Sequence, residues 1–143
     1  MIRKAVEKDV DQLADLMGEL GYPTTVDEMR ERFKKIHSNP LYCTFIAEHD
    51  GKVAGMVGMM KGLPYEKNES YVRIVALVVH SVYRNQGIGE SLMKAAEEWA
   101  KSQGASKLVL NSGNREERKK AHQFYISRGF EGKATGFYKS LAK

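Results

Sequence analysis

The stretch from Ile74 to Trp99 most narrows what this chain can fold into. Ile74 to Val79 is an unbroken, mostly β-branched apolar run, which reads as a strand buried on both faces. After a short connection come Arg84, Asn85, Gln86, Gly87, Ile88 and Gly89, and then a helical pattern. Ile88, Leu92, Ala95, Ala96 and Trp99 recur at the spacing of one helix face. A strand, a loop with two glycines and a helix N-terminus together make a place to hold an anion. Unpaired amides point outward there, and the helix dipole adds partial positive charge. Gly87 and Gly89 permit positive φ and close approach of a phosphate to the backbone. Two commoner phosphate loops do not fit. A mononucleotide loop needs Lys and then Ser or Thr after its last glycine, where this chain has Glu90 and Ser91. The dinucleotide fingerprint needs a third glycine or alanine where Leu92 stands.

A chain of 143 residues suits one domain, taken as 1–143, and can bury a real core. The N-terminus M-I-R-K-A-V-E-K-D has no apolar signal region, and no apolar run is long enough to span a membrane. One cysteine, Cys43, excludes an internal disulfide and fits a reducing, cytoplasmic setting. The formal charge of +5 suits a polyanionic ligand. The basic residues are spread among acids and do not alternate with aromatics, which argues against nucleic acid as a partner. The four histidines lack metal-ligand spacing, so no metal is expected.

Taken in order, Ile2 to Val6 reads as a short strand. Asp9 then caps a helix lined by Val10, Leu13, Leu16, Met17 and Leu20 and stopped by Gly21. Thr25-x-x-Glu28 is a capping box that opens a second helix with Met29, Phe33 and Ile36 inside, and Asn39-Pro40 stops it. Tyr42 to His49 and Lys52 to Met60 are two strands joined through Asp50-Gly51, a strong hairpin pair. Gly55 and Gly58 weaken the second of these and suggest a bulge. A polar loop leads to the central strand, which begins at Tyr71. Gly104 ends the third helix, and Lys107 to Asn111 is a fifth strand. Asn114-x-x-Glu117 caps a fourth helix with Ala121, Phe124 and Tyr125 on its apolar side. Gly129 stops it, and Phe130 to Leu141 holds one or two short strands. The order is β-α-α-β-β-β-α-β-α-β, a mixed α/β layered sheet.

Arg84-x-x-Gly87-x-Gly89 after a buried strand is similar to the pyrophosphate loop of the GCN5-related N-acetyltransferases. Ala121-x-x-Phe124-Tyr125-x-x-x-Gly129-Phe130 resembles that family's C-terminal signature. The element order matches as well, so the resemblance covers essentially the whole chain. It implies an acyl-CoA N-acyltransferase fold, a central mixed sheet of six to seven strands flanked by four helices. It also implies acetyl-CoA as co-substrate and an amine as acceptor. The pyrophosphate would lie on Arg84 to Gly89 and the amides of Glu90 and Ser91, and the pantetheine along the main chain of Leu77, Val78 and Val79. The Val79 amide would face the acetyl carbonyl as oxyanion donor. Tyr125 corresponds to the general acid, and its phenol, with an ordinary pKa of about 10, stays protonated to serve a thiolate. Asn114 matches an asparagine that contacts the cofactor's amide arm, or it is simply a helix cap.

The general base is where this chain departs from the family. Many relatives carry a glutamate on the central strand near the positions of Val75 and Ala76. Glu66, Glu69, His80 and His122 remain as candidates. Tyr22, Glu66 and Glu69 lie in loops expected to border the acceptor entrance, a mixture suited to a small cationic amine. Two alternatives stay open: a non-catalytic acyl-CoA-binding module, and an enzyme acting on protein or peptide amines. Edge strands near the C-terminus, together with the family's habit, suggest a homodimer.

Overall fold

The computed structural model describes residues 1–111, 119–133 and 136–141. Its elements run β1 (Ile2–Lys4), α1 (Val10–Leu20), α2 (Val26–His37), β2 (Tyr42–His49), β3 (Lys52–Gly62), β4 (Ser70–Val79), α3 (Ile88–Ser102), β5 (Ala105–Leu110) and α4 (Lys119–Ser127). The chain divides into two compact units, Met1–Val109 and Leu110–Lys143. Among the described residues there is one five-stranded sheet in the order β1-β2-β3-β4-β5, with the pairs β1–β2, β2–β3 and β3–β4 antiparallel.

Short-range chemistry sets most boundaries. Gly21 ends α1 at φ 104°, its amide donating to the carbonyls of Gly18 and Met17. Only glycine takes that conformation cheaply. The α2 capping box forms in both directions, each bond 3.1 Å: the Glu28 amide donates to Thr25 Oγ1, and the Thr25 amide to Glu28 Oε1. Asp50 and Gly51 both have positive φ, 52° and 76°, as the tight β2–β3 turn requires.

Asp9 behaves differently from the expected cap. Its side chain makes no bond to the first turn of α1. Instead it accepts from the Val6 amide at 2.8 Å and from both terminal nitrogens of Arg3 at 2.9 Å. Arg3 Nε also donates to Glu48 Oε1 at 3.0 Å. The guanidinium holds the buried Asp9 carboxyl below its usual pKa. An ion pair with Arg3, six residues back on β1, has outcompeted the helix cap, because a buried carboxylate is satisfied best by a two-pronged cation.

Two faces of the sheet are covered. On one, α1 and α2 bury Val10, Leu13, Leu16, Met29 and Phe33 against Ile46, Met56 and Val78. On the other lies α3, whose buried stripe is Leu92, Met93, Ala96 and Ala100. The sequence pattern gave a face one step round, with Ile88, Ala95 and Trp99, and those three are only half-buried. Gly55 marks the point of closest approach. A Cβ there would stand 2.8 Å from the Val78 carbonyl oxygen and 3.1 Å from Leu92 Cδ1.

The central strand β4 is not buried on both faces. Ile74 and Val78 are buried, Ala76, Leu77 and Val79 are half-buried, and Val75 is 50% exposed. The reason is a bulge: Gly58 faces Ala76 and Met59 faces Ile74, so Val75 is an extra residue with no partner on β3. A second shift leaves Ala54 extra on β3, beside Gly55. Both glycines thus adjoin bulges, though the extra residue beside Gly58 belongs to the opposite strand.

The expected six to seven strands become five among the described residues. Described positions between Phe130 and Leu141 form no strand, and Phe137, Tyr138 and Leu141 are exposed. Apolar residues with no sheet face beneath them gain little from pairing. Asn114 and Glu117 lie outside the described residues. Gly129 follows α4 at φ 92°, its amide donating to Ile126.

Because the Val78 carbonyl is backbone and cannot retreat as a side chain can, Gly55→Ala should strain the β3–β4 pairing, crowd Leu92 and cost about 1–3 kcal/mol, the usual range for overpacking. Urea unfolding monitored at Trp99 measures it; wild-type stability would mean that the contact is soft.

Candidate active site

The antiparallel ladder decides which way the end of β4 offers its main chain. His80 donates its amide to the Ala54 carbonyl at 2.8 Å, in register with the pairs Val79–Gly55, Val78–Met56 and Leu77–Val57. Hydrogen-bonded and non-bonded pairs alternate. Val78 therefore spends its main chain on β3, while Leu77 and Val79 turn theirs to the opposite edge. In agreement, the Val79 carbonyl accepts from Arg84 Nε at 3.3 Å.

Beyond β4 the chain turns through Ser81–Tyr83 and reaches the glycine loop. Asn85 has φ 64° and Gly87 φ 78°. Gly87 is the N-cap of α3 and has no capping side chain, so the amides that open the helix, those of Ile88 and Gly89, have no side-chain partner in the cap. Left-handed residues leading into uncapped amides make an anion-binding concavity at the positive end of the helix dipole. Gly89 does not use the positive φ expected of it. It lies within the first turn of α3, and Asn85 supplies the second left-handed residue, a role to which asparagine is suited. Arg84, Asn85, Gln86, Gly87, Glu90 and Ser91 are exposed, while Ile88 and Gly89 are half-buried.

This turn is tied to α1 by two acids one helical turn apart. Glu19 Oε1 accepts from the Ser81 amide at 2.6 Å and stands 3.9 Å from Arg84. The Ser81 bond holds the Glu19 carboxyl below its ordinary pKa. Asp15 lies 3.4 Å from His80 Nε2, and His80 Nδ1 accepts from the Val82 amide at 3.2 Å. An accepting Nδ1 puts the proton of the neutral ring on Nε2, facing Asp15. The ring's one lone pair is thus in use, which removes His80 as a free general base.

The other expected site residues fall as follows. Tyr22, Glu66 and Glu69 are exposed, Tyr22 between α1 and α2 and the two acids between β3 and β4. Among the described residues neither carboxylate makes an ion pair or hydrogen bond. Tyr125 is half-buried in α4, edge-on to Phe124 and Phe130 with centroids 5.8 and 6.0 Å away. Burial pushes the Cys43 thiol up, which leaves it an unreactive packing residue. Sequence reasoning missed Glu19, Asp15 and the exposed bulge at Val75. The signal available for the acids was their i, i+4 spacing on the polar side of α1.

The end of β4 turns main chain away from β3 and leads into uncapped amides at a helix N-terminus. Comparison with known proteins names the class. The sequence profile of the Acetyltransferase (GNAT) family matches residues 10–130. A solved GNAT family acetyltransferase from Staphylococcus aureus is 34% identical, covers 99% of this chain and 98% of its own, and superposes with a TM-score of 0.86. The chain belongs to the GNAT family of acetyltransferases. Human N-acetyltransferase 8 is 30% identical over 115 residues, 80% of this chain and 50% of its own. The chain therefore spans about half the length of that curated relative. The aminoalkylphosphonate N-acetyltransferase of Salmonella typhimurium is 28% identical over 141 residues, 98% of this chain and 90% of that one.

If Glu19 holds the turn, Glu19→Ala should speed amide exchange at Ser81 and Val82 while leaving β3 protected. The same release should appear in wild type as pH falls through the depressed Glu19 pKa, since the clamp needs the carboxylate and is complete only above its ordinary value. Hydrogen exchange read by NMR tests both, and unchanged rates at Ser81 would remove the clamp.

Proposed function

We propose that the chain is an acetyl-CoA-dependent N-acetyltransferase that acylates a primary amine of a small molecule, with residues 1–143 working as one domain. The observation that carries this reading is the pairing of uncapped α3 amides with the outward main chain of Leu77 and Val79. Together these fit the phosphates and the amide-bearing arm of coenzyme A. Arg84 to Gly89, Glu90 and Ser91 take the pyrophosphate, and Asn114 takes the amide arm. Val78 contributes by holding β4 in register.

The chemistry then needs few groups. The amine nitrogen attacks the thioester carbonyl carbon, and the oxygen gains charge beside the Val79 amide, a fixed donor worth most in a dry site. Collapse breaks the C–S bond. The ammonium gives one proton to water before attack. As the C–S bond breaks, Tyr125 hands its phenolic proton to the departing sulfur, and the second proton, shed by the acylated nitrogen, returns through water to the phenolate. Tyr22, Glu66 and Glu69 border the acceptor entrance. The relative named for aminoalkylphosphonates, similar over nearly the full chain, favours a small acceptor over a protein tail. The same reading takes the protein as a cytoplasmic homodimer: the free Cys43 thiol suits a reducing compartment, and the exposed Phe137, Tyr138 and Leu141 offer a surface for self-association. No helix among the described residues is long and apolar enough to cross a membrane.

Gly89→Asp places bulk and negative charge where phosphate should lie, so calorimetry on the folded variant should show acetyl-CoA affinity severely weakened. Unchanged affinity would remove the anion site. Tyr125→Phe should lower turnover roughly 10²–10⁴-fold with cofactor affinity kept, the usual range for a positioned acid. Wild-type turnover, with chemistry limiting the rate, would leave Tyr125 a packing residue.

A further inference from the structure

We infer that the acceptor is a small zwitterion, a primary amine carrying a carboxylate, phosphonate or phosphate, and that Arg73 holds its acid group. This rests on the acetyltransferase reading above and adds the chemical class of the acceptor.

The register supplies the placement. Arg73 lies opposite Met60, and Tyr71 opposite Gly62, with the Tyr71 ring packed over that glycine. Residues facing each other across a ladder share a face, and alternate residues return to it. Met56, Gly58, Met60 and Gly62 therefore line the face that α1 and α2 cover, and Arg73 and Tyr71 stand there with them. A Cβ on Gly58 would meet Met56 Cε at 3.5 Å, Val75 Cγ2 at 3.7 Å and Ala76 Cβ at 4.0 Å, so the bulge turns Val75 to the same side. The helices cover Met56 and Val78 but leave Val75 half exposed. The result is an apolar, aromatic floor at the open end of that face with one fixed cation in it.

Half-buried on a central strand, Arg73 makes no hydrogen bond and no ion pair among the described residues. Arg3 shows what a structural arginine looks like in this protein: also half-buried, it reaches Asp9 and Glu48 through three bonds of 2.9 to 3.0 Å. A partly desolvated guanidinium whose five donors find no acceptor among the described residues is suited to a planar or tetrahedral anion. Four residues separate Arg73 from Leu77, roughly 13 Å of strand and less across the bulge, and an arginine side chain spans about half of that. An acid group on Arg73 thus leaves room for only a short spacer before the reacting nitrogen. Glu66 and Glu69, unpaired among the described residues and in the loop that joins β3 to β4, give the ammonium end a favourable field on entry.

The test uses purified full-length chain, acetyl-CoA and matched acceptors: β-alanine and 2-aminoethylphosphonate against propylamine and 1,3-diaminopropane, with thiol release as readout. At least one acid-bearing amine should be acetylated with kcat/KM well above both others. Arg73→Gln should raise the KM for that acceptor on the order of 10–100-fold, the loss of a charge-assisted contact. The KM for acetyl-CoA and the thermal midpoint should stay put, and Arg73→Lys should recover part of the loss. Preference for propylamine or the diamine, or an equal effect of Arg73→Gln on every acceptor, would overturn the inference while leaving acetyl transfer intact. So would a protein that binds acetyl-CoA by calorimetry yet acetylates neither acid-bearing amine. Loss of acetyl-CoA binding in the wild type would instead sink the acetyltransferase reading itself.

Discussion

The single extra residue at Val75 is what allows β4 to serve two packing problems at once. Below the bulge, Val72 and Ile74 face α3 while Tyr71 and Arg73 face the other way; above it, Leu77 and Val79 face α3 while Ala76 and Val78 meet α1. Side chains alternate with a period of two, so a strand without the extra residue would keep one phase throughout. Either Arg73 would then enter the α3 interface as an unpaired charge, or Val78 would leave the α1 core. Burying a lone guanidinium costs far more than bending a strand. The bulge resolves the conflict, and it aims one apolar side chain, Val75, into the open end of the sheet.

A second constraint converts that strand into a binding edge. Gly55 leaves room on β3 for Leu92 and Ile88 of α3 and for the neighbouring Val78 carbonyl of β4, where a side chain would crowd all three. The first turn of α3 thus packs on the sheet beside the end of β4, where Leu77 and Val79 turn their main chain away from β3. Glu19 then secures the connecting turn from the opposite face of the sheet, through the Ser81 amide. Three modest features, a missing Cβ, a ladder phase and one carboxylate, fix where an anion and an extended chain can lie together. None is chemically active.

Features encoded within a few residues were legible in advance. The Asp50-Gly51 turn, the Thr25–Glu28 box, the Gly21 stop and the glycine loop all formed where the sequence indicated, because turn and cap geometry depends on neighbours in the chain. What escaped depends on how separate elements meet. Asp9 reads as a helix cap and serves Arg3 on β1, an arginine that the distant Glu48 also holds in place, and no capping pattern announces that cluster. The apolar run Ile74–Val79 reads the same with or without a bulge, and so two-sided burial was the natural expectation and the wrong one. The α3 stripe came out one step round because Met93 and Ala100 were passed over for Ile88 and Trp99. Gly89 lies in the first turn of α3, and the second left-handed residue of the loop is Asn85. Arg73 did carry a signal: one arginine directly before a six-residue apolar run has to find an anion somewhere.

The absence of a strand glutamate and the engagement of His80 bear on how the amine loses its proton. His80 Nδ1 accepts from the Val82 amide and its Nε2 faces Asp15 at 3.4 Å, so both ring nitrogens are engaged in holding the turn. In a free zwitterion the neighbouring acid group stabilises the ammonium and keeps it charged. Pairing that acid with Arg73 cancels its charge and sets a cation nearby, and both effects favour the neutral amine. An acceptor bound in this way needs less from a base, and water suffices as the proton's destination. The arginine would thus select the acceptor and prepare its nitrogen through the same contact, which accounts for a family member whose central strand carries a cation and no carboxylate.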